Sequence, residues 1–145
     1  MRAVIQRVIK GRVNIAGKAV AEIRRGFVIL LGVEKSDDQE NADALARKIA
    51  NLRIFSDDAG KMNLSILDIH GEAIVVSQFT LMADTSKGNR PSFIKAGPPE
   101  IASPLVDYFI AALRERGIET QSGEFGADML VEIHNDGPVT ILLDN

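Results

Sequence analysis

Ser77-Gln78-Phe79-Thr80 is the stretch of this 145-residue chain best equipped for chemistry. It sets polar side chains and main-chain N–H groups directly after an apolar run, Ile74-Val75-Val76. A short apolar run of this kind reads as a buried strand. Groups carried at the end of a strand on a rigid scaffold are well placed to meet a ligand. The plain alternative is a strand that turns polar because it reaches water. The usual means of activating a side-chain nucleophile are missing: there is no cysteine, no G-x-S-x-G elbow and no P-loop among the twelve glycines. His70 and His134 are the only histidines. Neither has a helical partner at zinc-ligand spacing, so both read as structural or solvent-facing, and no metal is expected. What remains is electrostatic. N–H groups around Gln78–Thr80 could steady a developing oxyanion, with the attacking group supplied partly by the substrate. An ester with a neighbouring hydroxyl suits such a site.

The second informative stretch is Asn135-Asp136-Gly137-Pro138-Val139-Thr140. Asp-Gly before Pro is good hairpin-turn chemistry. Pro138 nonetheless removes a ladder N–H where a returning strand begins, and a Gly-Pro tip offers carbonyl oxygens with almost no side chain. That suits a surface that reads another molecule through its backbone. A third stretch, Lys87-Gly88-Asn89-Arg90-Pro91-Ser92-Phe93-Ile94-Lys95, clusters three cations around one aromatic. It is either a solvated loop or a local contact for nucleic acid.

The elements that must position these residues follow from periodicity. Arg2–Ile15 reads as a strand with a bend or bulge at Gly11, Gly17-Lys18 as a tight turn, and Ala19–Arg25 as the strand that pairs back. Phe27–Val33 is a continuous apolar run and predicts a central strand buried on both faces. Ser36-Asp37-Asp38 caps an amphipathic helix over Gln39–Asn51, with Ala42, Leu45, Ala46, Ile49 and Leu52 inward. Leu52–Phe55 is a short strand, Ser56–Gly60 a turn, and Lys61–Ser65 irregular. Met82–Pro99 is a long polar connection of the kind that carries function or mobility. A second helix starts at Pro98-Pro99-Glu100 and runs to Arg116, with Ile101, Leu105, Tyr108, Phe109 and Leu113 inward and Gly117 as its stop. Ile118–Gln121 is a brief strand, and Met129–His134 and Val139–Leu143 are two strands flanking the Gly-Pro stretch.

Composition bounds the rest. The length suits one domain, 1–145, with a core that needs no disulfide staple. No apolar run approaches a membrane span, the opening residues alternate apolar and polar, and the lack of cysteine fits a reducing compartment, so a cytoplasmic protein without a membrane role is expected. A net charge of −3 makes the whole molecule no magnet for phosphate, so nucleic-acid binding would need the local patch at Lys87, Arg90 and Lys95.

Ser77-Gln78-Phe79-Thr80-Leu81 and Asn135-Asp136-Gly137-Pro138-Val139-Thr140 together resemble the two signature motifs of the D-aminoacyl-tRNA deacylases. Met1–Val8, Leu52–Phe55, Gly60–Ser65 and Lys87–Phe93 resemble the same family, and the length agrees end to end. The resemblance implies an α/β fold of the α+β type: a β-rich, barrel-like core with two main helices packed outside, assembled as a homodimer without cofactor. It also implies hydrolysis of the ester joining a D-amino acid, or glycine mischarged on tRNA-Ala, to the terminal adenosine of tRNA. In the family the Gly-Pro bond is cis and reaches into the partner's site. Gly137 and Pro138 would then face Ser77, Gln78, Phe79 and Thr80 of the other subunit, with Arg7 holding the motif. Carbonyls of Gly137 and Pro138 would fix the substrate ammonium so that a D side chain has room and an L side chain meets backbone. For Thr80 the expected role is orientation of the substrate, since no base is evident. The competing reading is a non-catalytic dimeric module that binds nucleic acid.

Overall fold

The computed structural model describes residues 1–145. The first strand, β1 (Arg2–Ile15), organises everything else. Along one edge its first half pairs with β3 (Gly26–Gly32) and its second half with β2 (Lys18–Ile23). Along the other edge it pairs with β8 (Leu130–Asp144). Beyond β3 lie β6 (Glu72–Ser77) and β7 (Glu119–Ser122), both parallel to their neighbours. The sheet curls until β7 approaches β2. There the Gln121 side chain supplies what a ladder would: its Oε1 accepts from the Glu22 N–H at 3.0 Å and its Nε2 donates to the Glu22 carbonyl at 2.7 Å. The result is a mixed α/β fold with a nearly closed, barrel-like sheet.

Side-chain alternation divides two cores, as the period of two along a strand requires. Ile5, Phe27, Ile29, Leu31, Ala73 and Val75 face outward onto the helices. Val8, Val28, Ile74 and Val76 face the barrel interior. Helix α1 (Gln39–Ala50) and helix α2 (Pro99–Glu115) pack against each other over the first core. Asp38 caps α1 as expected, in a reciprocal box with Asn41, an arrangement that contributes about 1 kcal/mol. Asp37 does something else and binds the Met1 ammonium at 2.6 Å. On α2 the buried stripe centres on Leu105, Val106, Phe109, Ile110 and Leu113. Ile101 and Tyr108 flank it.

Several sequence expectations need correction. Gly11 is not the bulge. β1 slips register against β8 around Ile9, where Val8 pairs with Asn135 but Lys10 with His134. The extra residue swaps faces, so Gly11 points into the barrel, where a Cβ would come within 2.6 Å of Val28 Cγ2. Glycine is required there by packing. The first turn is Ala16-Gly17, both at positive φ, one residue earlier than expected. The strand expected at Leu52–Phe55 is β4 (Phe55–Ser56), and it pairs with β5 (Met62–Leu64), which lies within the supposedly irregular Lys61–Ser65. The strand through Ile74 ends at Ser77, and Phe79–Met82 forms a 3-10 turn. The two strands expected around the Gly-Pro stretch are one strand, β8, bonded to β1 on both sides of the motif. No helix is long and apolar enough to cross a membrane.

The turn entering β6 gives a pH-dependent element. The Asp68 carboxylate accepts from the Ser65 N–H at 2.8 Å and the Ser65 hydroxyl at 2.7 Å, and these bonds hold its carboxyl below the ordinary range. A group lowered in the fold stabilises it above its unfolded pKa and stops doing so as acid protonates it. Asp68→Ala is therefore expected to lower the urea midpoint at neutral pH, and the gap from wild type to close at pH about 2.

Candidate active site

The register of the sheet decides where the chemistry-bearing residues lie. Ser77 is opposite Leu31 at the end of β3, and Gln78 continues the ladder by donating its N–H to the Leu31 carbonyl at 2.8 Å. The chain then leaves the sheet, and the first bond of the 3-10 turn runs from the Leu81 N–H to the Gln78 carbonyl at 3.2 Å. The N–H groups of Phe79 and Thr80 precede that bond and have no acceptor within the turn, the general condition of a helical start. Gln78 Nε2 donates to Thr80 Oγ1. The Thr80 hydroxyl oxygen is thereby an acceptor.

Beside the turn opens a cavity of about 560 Å³. Ser77, Gln78 and Phe79 form one wall, Ala96 and Gly97 another, and Phe125, Asp128, Met129 and Val131 a third. Thr80 is exposed at its margin. The walls are mostly apolar with a few polar groups, Ser77, Gln78 and Asp128, as small-molecule sites usually are. Sequence reasoning missed the wall before β8 and the Ala96–Gly97 wall. The one available signal was Phe125, an aromatic between Gly123 and Gly126 with no periodic partner. The loop is tied to the site by the Gly123 N–H, which donates to the Val75 carbonyl at 3.3 Å.

Gly137 and Pro138 lie elsewhere. Between Val8↔Asn135 and Gln6↔Thr140, β8 advances five residues while β1 advances two, so the motif is looped out of the strand. The Gly137–Pro138 peptide is cis, and Gly137 has φ +126°. Two side chains brace the loop. The Asn135 carboxamide accepts from the Val139 N–H at 2.7 Å and donates to Thr140 Oγ1 at 3.1 Å, replacing the ladder bonds that the bulge interrupts. Buried Arg7 donates from Nε to the Asp136 carbonyl at 3.1 Å and from Nη1 to the Ile54 carbonyl at 2.6 Å. Arg7 thus joins the loop to the segment before β4.

Within one chain the two motifs do not meet. Arg7 is level with Phe27 and Ser77 with Leu31, and β8 is separated from β6 by β1 and β3. Strand rise and spacing put the motifs roughly 15–20 Å apart. Gly137 and Pro138 line no part of the cavity.

Lys87, Arg90 and Lys95 gather around a second cavity of about 260 Å³, with Asp84, Ser92 and Ile94. His70 sits in a turn before β6 at φ +50°, and His134 lies opposite Lys10. Neither lines the larger cavity. No cluster of His, Cys, Asp or Glu is arranged to hold a metal.

Comparison with other proteins places these features in context. A family model described as D-Tyr-tRNA(Tyr) deacylase matches residues 4–144. A D-aminoacyl-tRNA deacylase of Geotalea daltonii is 58% identical over 144 residues, covering 99% of this chain and 96% of the relative. The corresponding protein of Chloroflexus aurantiacus is 59% identical over 145 residues, covering 100% and 91%. Among solved structures, a c-Myc DNA unwinding element binding protein superposes with a TM-score of 0.94 at 42% identity, covering 100% of this chain and 99% of the other. One described as a probable eukaryotic D-amino acid tRNA deacylase gives 0.88 at 16% identity, covering 99% and 98%, and shares the fold.

Proposed function

Because the chain belongs to the D-aminoacyl-tRNA deacylase family, an enzyme family, we propose that it cleaves the ester between a D-amino acid and the terminal adenosine of tRNA by main-chain electrostatics. The reading is carried by one observation: the Phe79 and Thr80 N–H groups stand without acceptors in their own turn, beside a largely apolar cavity. Two preorganised main-chain donors are suited to an oxyanion, and each such donor is worth about 100- to 1,000-fold in rate. Glycyl-tRNA, whose amino acid has no side chain to exclude, fits the same pocket. The setting proposed is cytoplasmic.

Thr80 orients the substrate in this scheme. Its oxygen accepts from Gln78, no histidine lines the cavity, and a nucleophile without a base lacks activation. The terminal ribose 2′-hydroxyl then assists attack by water on the ester carbonyl.

Rejection of L-amino acids needs Gly137 and Pro138 near the cavity, and a second copy of the chain supplies them. Support comes from an apolar row across four strands: Leu142 opposite Val4, Val4 opposite Leu30, and Leu30 opposite Val76 on the cavity wall. Leu142 is 57% exposed. A partner packed on Leu142, Val4 and Leu30, next to buried Val76, would carry its own braced loop toward Ser77–Thr80.

The second reading, a dimeric module that binds nucleic acid without cleaving it, is favoured by the likeness to a protein named for a DNA element. Incubating the pure protein with D-tyrosyl-tRNA and L-tyrosyl-tRNA separates the two. Ester loss from the D substrate alone is expected; binding of either without ester loss would leave the module.

A further inference from the structure

We propose that the smaller, cationic cavity binds phosphodiester groups of the RNA strand that ends in the substrate's terminal nucleoside, so that the 3′ end is held at two adjacent points. The inference rests on the deacylase reading and extends it. Lys87, Arg90 and Lys95 converge on about 260 Å³ of space, and none of them is in an ion pair within the chain. Asp84 is the only acid on the wall, and its Oδ1 is engaged by the Ser86 N–H at 2.9 Å. Three cations against one carboxylate leave two positive charges in excess, in a protein whose net charge is −3. Uncompensated positive charge concentrated in one concavity is the footprint of a bound polyanion.

Its position says which polyanion. Ser92, Ile94 and Lys95 line the small cavity, and the next residues, Ala96 and Gly97, line the large one. The dividing segment is pinned to the core, since Lys35 N–H donates to the Lys95 carbonyl at 3.2 Å and Gly97 N–H to the Val33 carbonyl at 2.8 Å. Between the cavities Phe93 packs edge-on against Phe79 with ring centroids 5.0 Å apart. At the base of the loop Asp84 and Ser92 exchange backbone hydrogen bonds at 2.8 and 2.9 Å. A nucleoside in the apolar cavity therefore continues, within a nucleotide or two, over the cations of the smaller cavity. Aromatic and apolar surface beside a basic track is how single strands are held.

The test compares D-tyrosyl-tRNA with D-tyrosyl-adenosine, which lacks the upstream phosphates, on wild type and on a Lys87→Gln, Arg90→Gln double variant. For the tRNA ester, KM is expected to rise about tenfold or more with kcat nearly unchanged. The slope of log KM against log salt should fall by about 0.7 for each phosphate that the variant no longer neutralises. For the adenosine ester, kcat/KM should not move. An equal loss on both substrates, or no loss on either, overturns the inference while leaving the deacylase reading intact. A wild-type protein inert on both substrates overturns the deacylase reading itself. Inorganic phosphate is the third arm. Thermal stabilisation of wild type by millimolar phosphate, with tRNA kinetics unaltered in the double variant, would assign the cavity to a free anion and overturn the inference.

Discussion

A D-aminoacyl-tRNA ending in 2′-deoxyadenosine is expected to be hydrolysed at least about a hundredfold more slowly than its ribose counterpart, with KM nearly unchanged. General-base or hydroxyl assistance contributes about 100- to 10,000-fold, and in this protein no side chain is placed to replace it. His70 precedes β6 whereas Ser77 closes it, so the histidine is roughly 20 Å from the turn along the strand. Asp128 is the one carboxylate on the cavity wall. If Asp128 were the base, Asp128→Asn would suffer that hundredfold loss instead, and the deoxy substrate would lose little. The opposite pattern is expected. Thr80→Ala should cost about ten- to a hundredfold, the scale of one hydrogen bond to a developing charge. An acyl-enzyme trapped on Thr80 would instead make that hydroxyl the nucleophile.

How much of this was legible in the sequence depends on whether the signal was local. The apolar runs Phe27–Val33 and Ile74–Val76, the Asp38 cap and the stripe of α1 are written in consecutive residues, and the structure has them. The bulge at Ile9 is not, because a register shift exists only between two strands. The same holds for β8. Asn135-Asp136-Gly137-Pro138 has the composition of a hairpin turn, and its neighbours read as two strands. What makes it a loop within one strand is β1, which is long enough to bond on both sides of it. The cavity shows the limit most clearly. Ser77 and Gln78 could be picked out as polar residues after an apolar run, whereas Phe125 and Met129 reach the same space through tertiary packing. Arg7 gave no local sign of its role, since its partners Ile54 and Asp136 are distant in sequence.

Gly137→Ala is expected to cut turnover of the D substrate about a hundredfold and to loosen the rejection of L-aminoacyl-tRNA, while the protein stays folded. At φ +126° an L side chain is strained, and the added methyl would meet Val139 Cγ2 at 2.8 Å and Arg7 Nη2 at 3.0 Å. The loop must shift, and displacement of about 1 Å at a positioning element can cost a hundredfold in rate. Arg7→Ala and Asn135→Ala should act in the same direction by releasing the two braces. None of the three should affect the Ser77–Thr80 turn of its own chain, which lies several strands away. That separation provides a decisive experiment. If each site combines the turn of one subunit with the loop of the other, mixing Gly137→Ala and Thr80→Ala subunits makes hybrids in which one of two sites carries no substitution. Random exchange makes half of the dimers hybrid, so activity should recover to about a quarter of wild type. Should mixing restore nothing although subunits exchange, the loop does not complete a partner's site, and handedness would have to be read by the cavity walls alone.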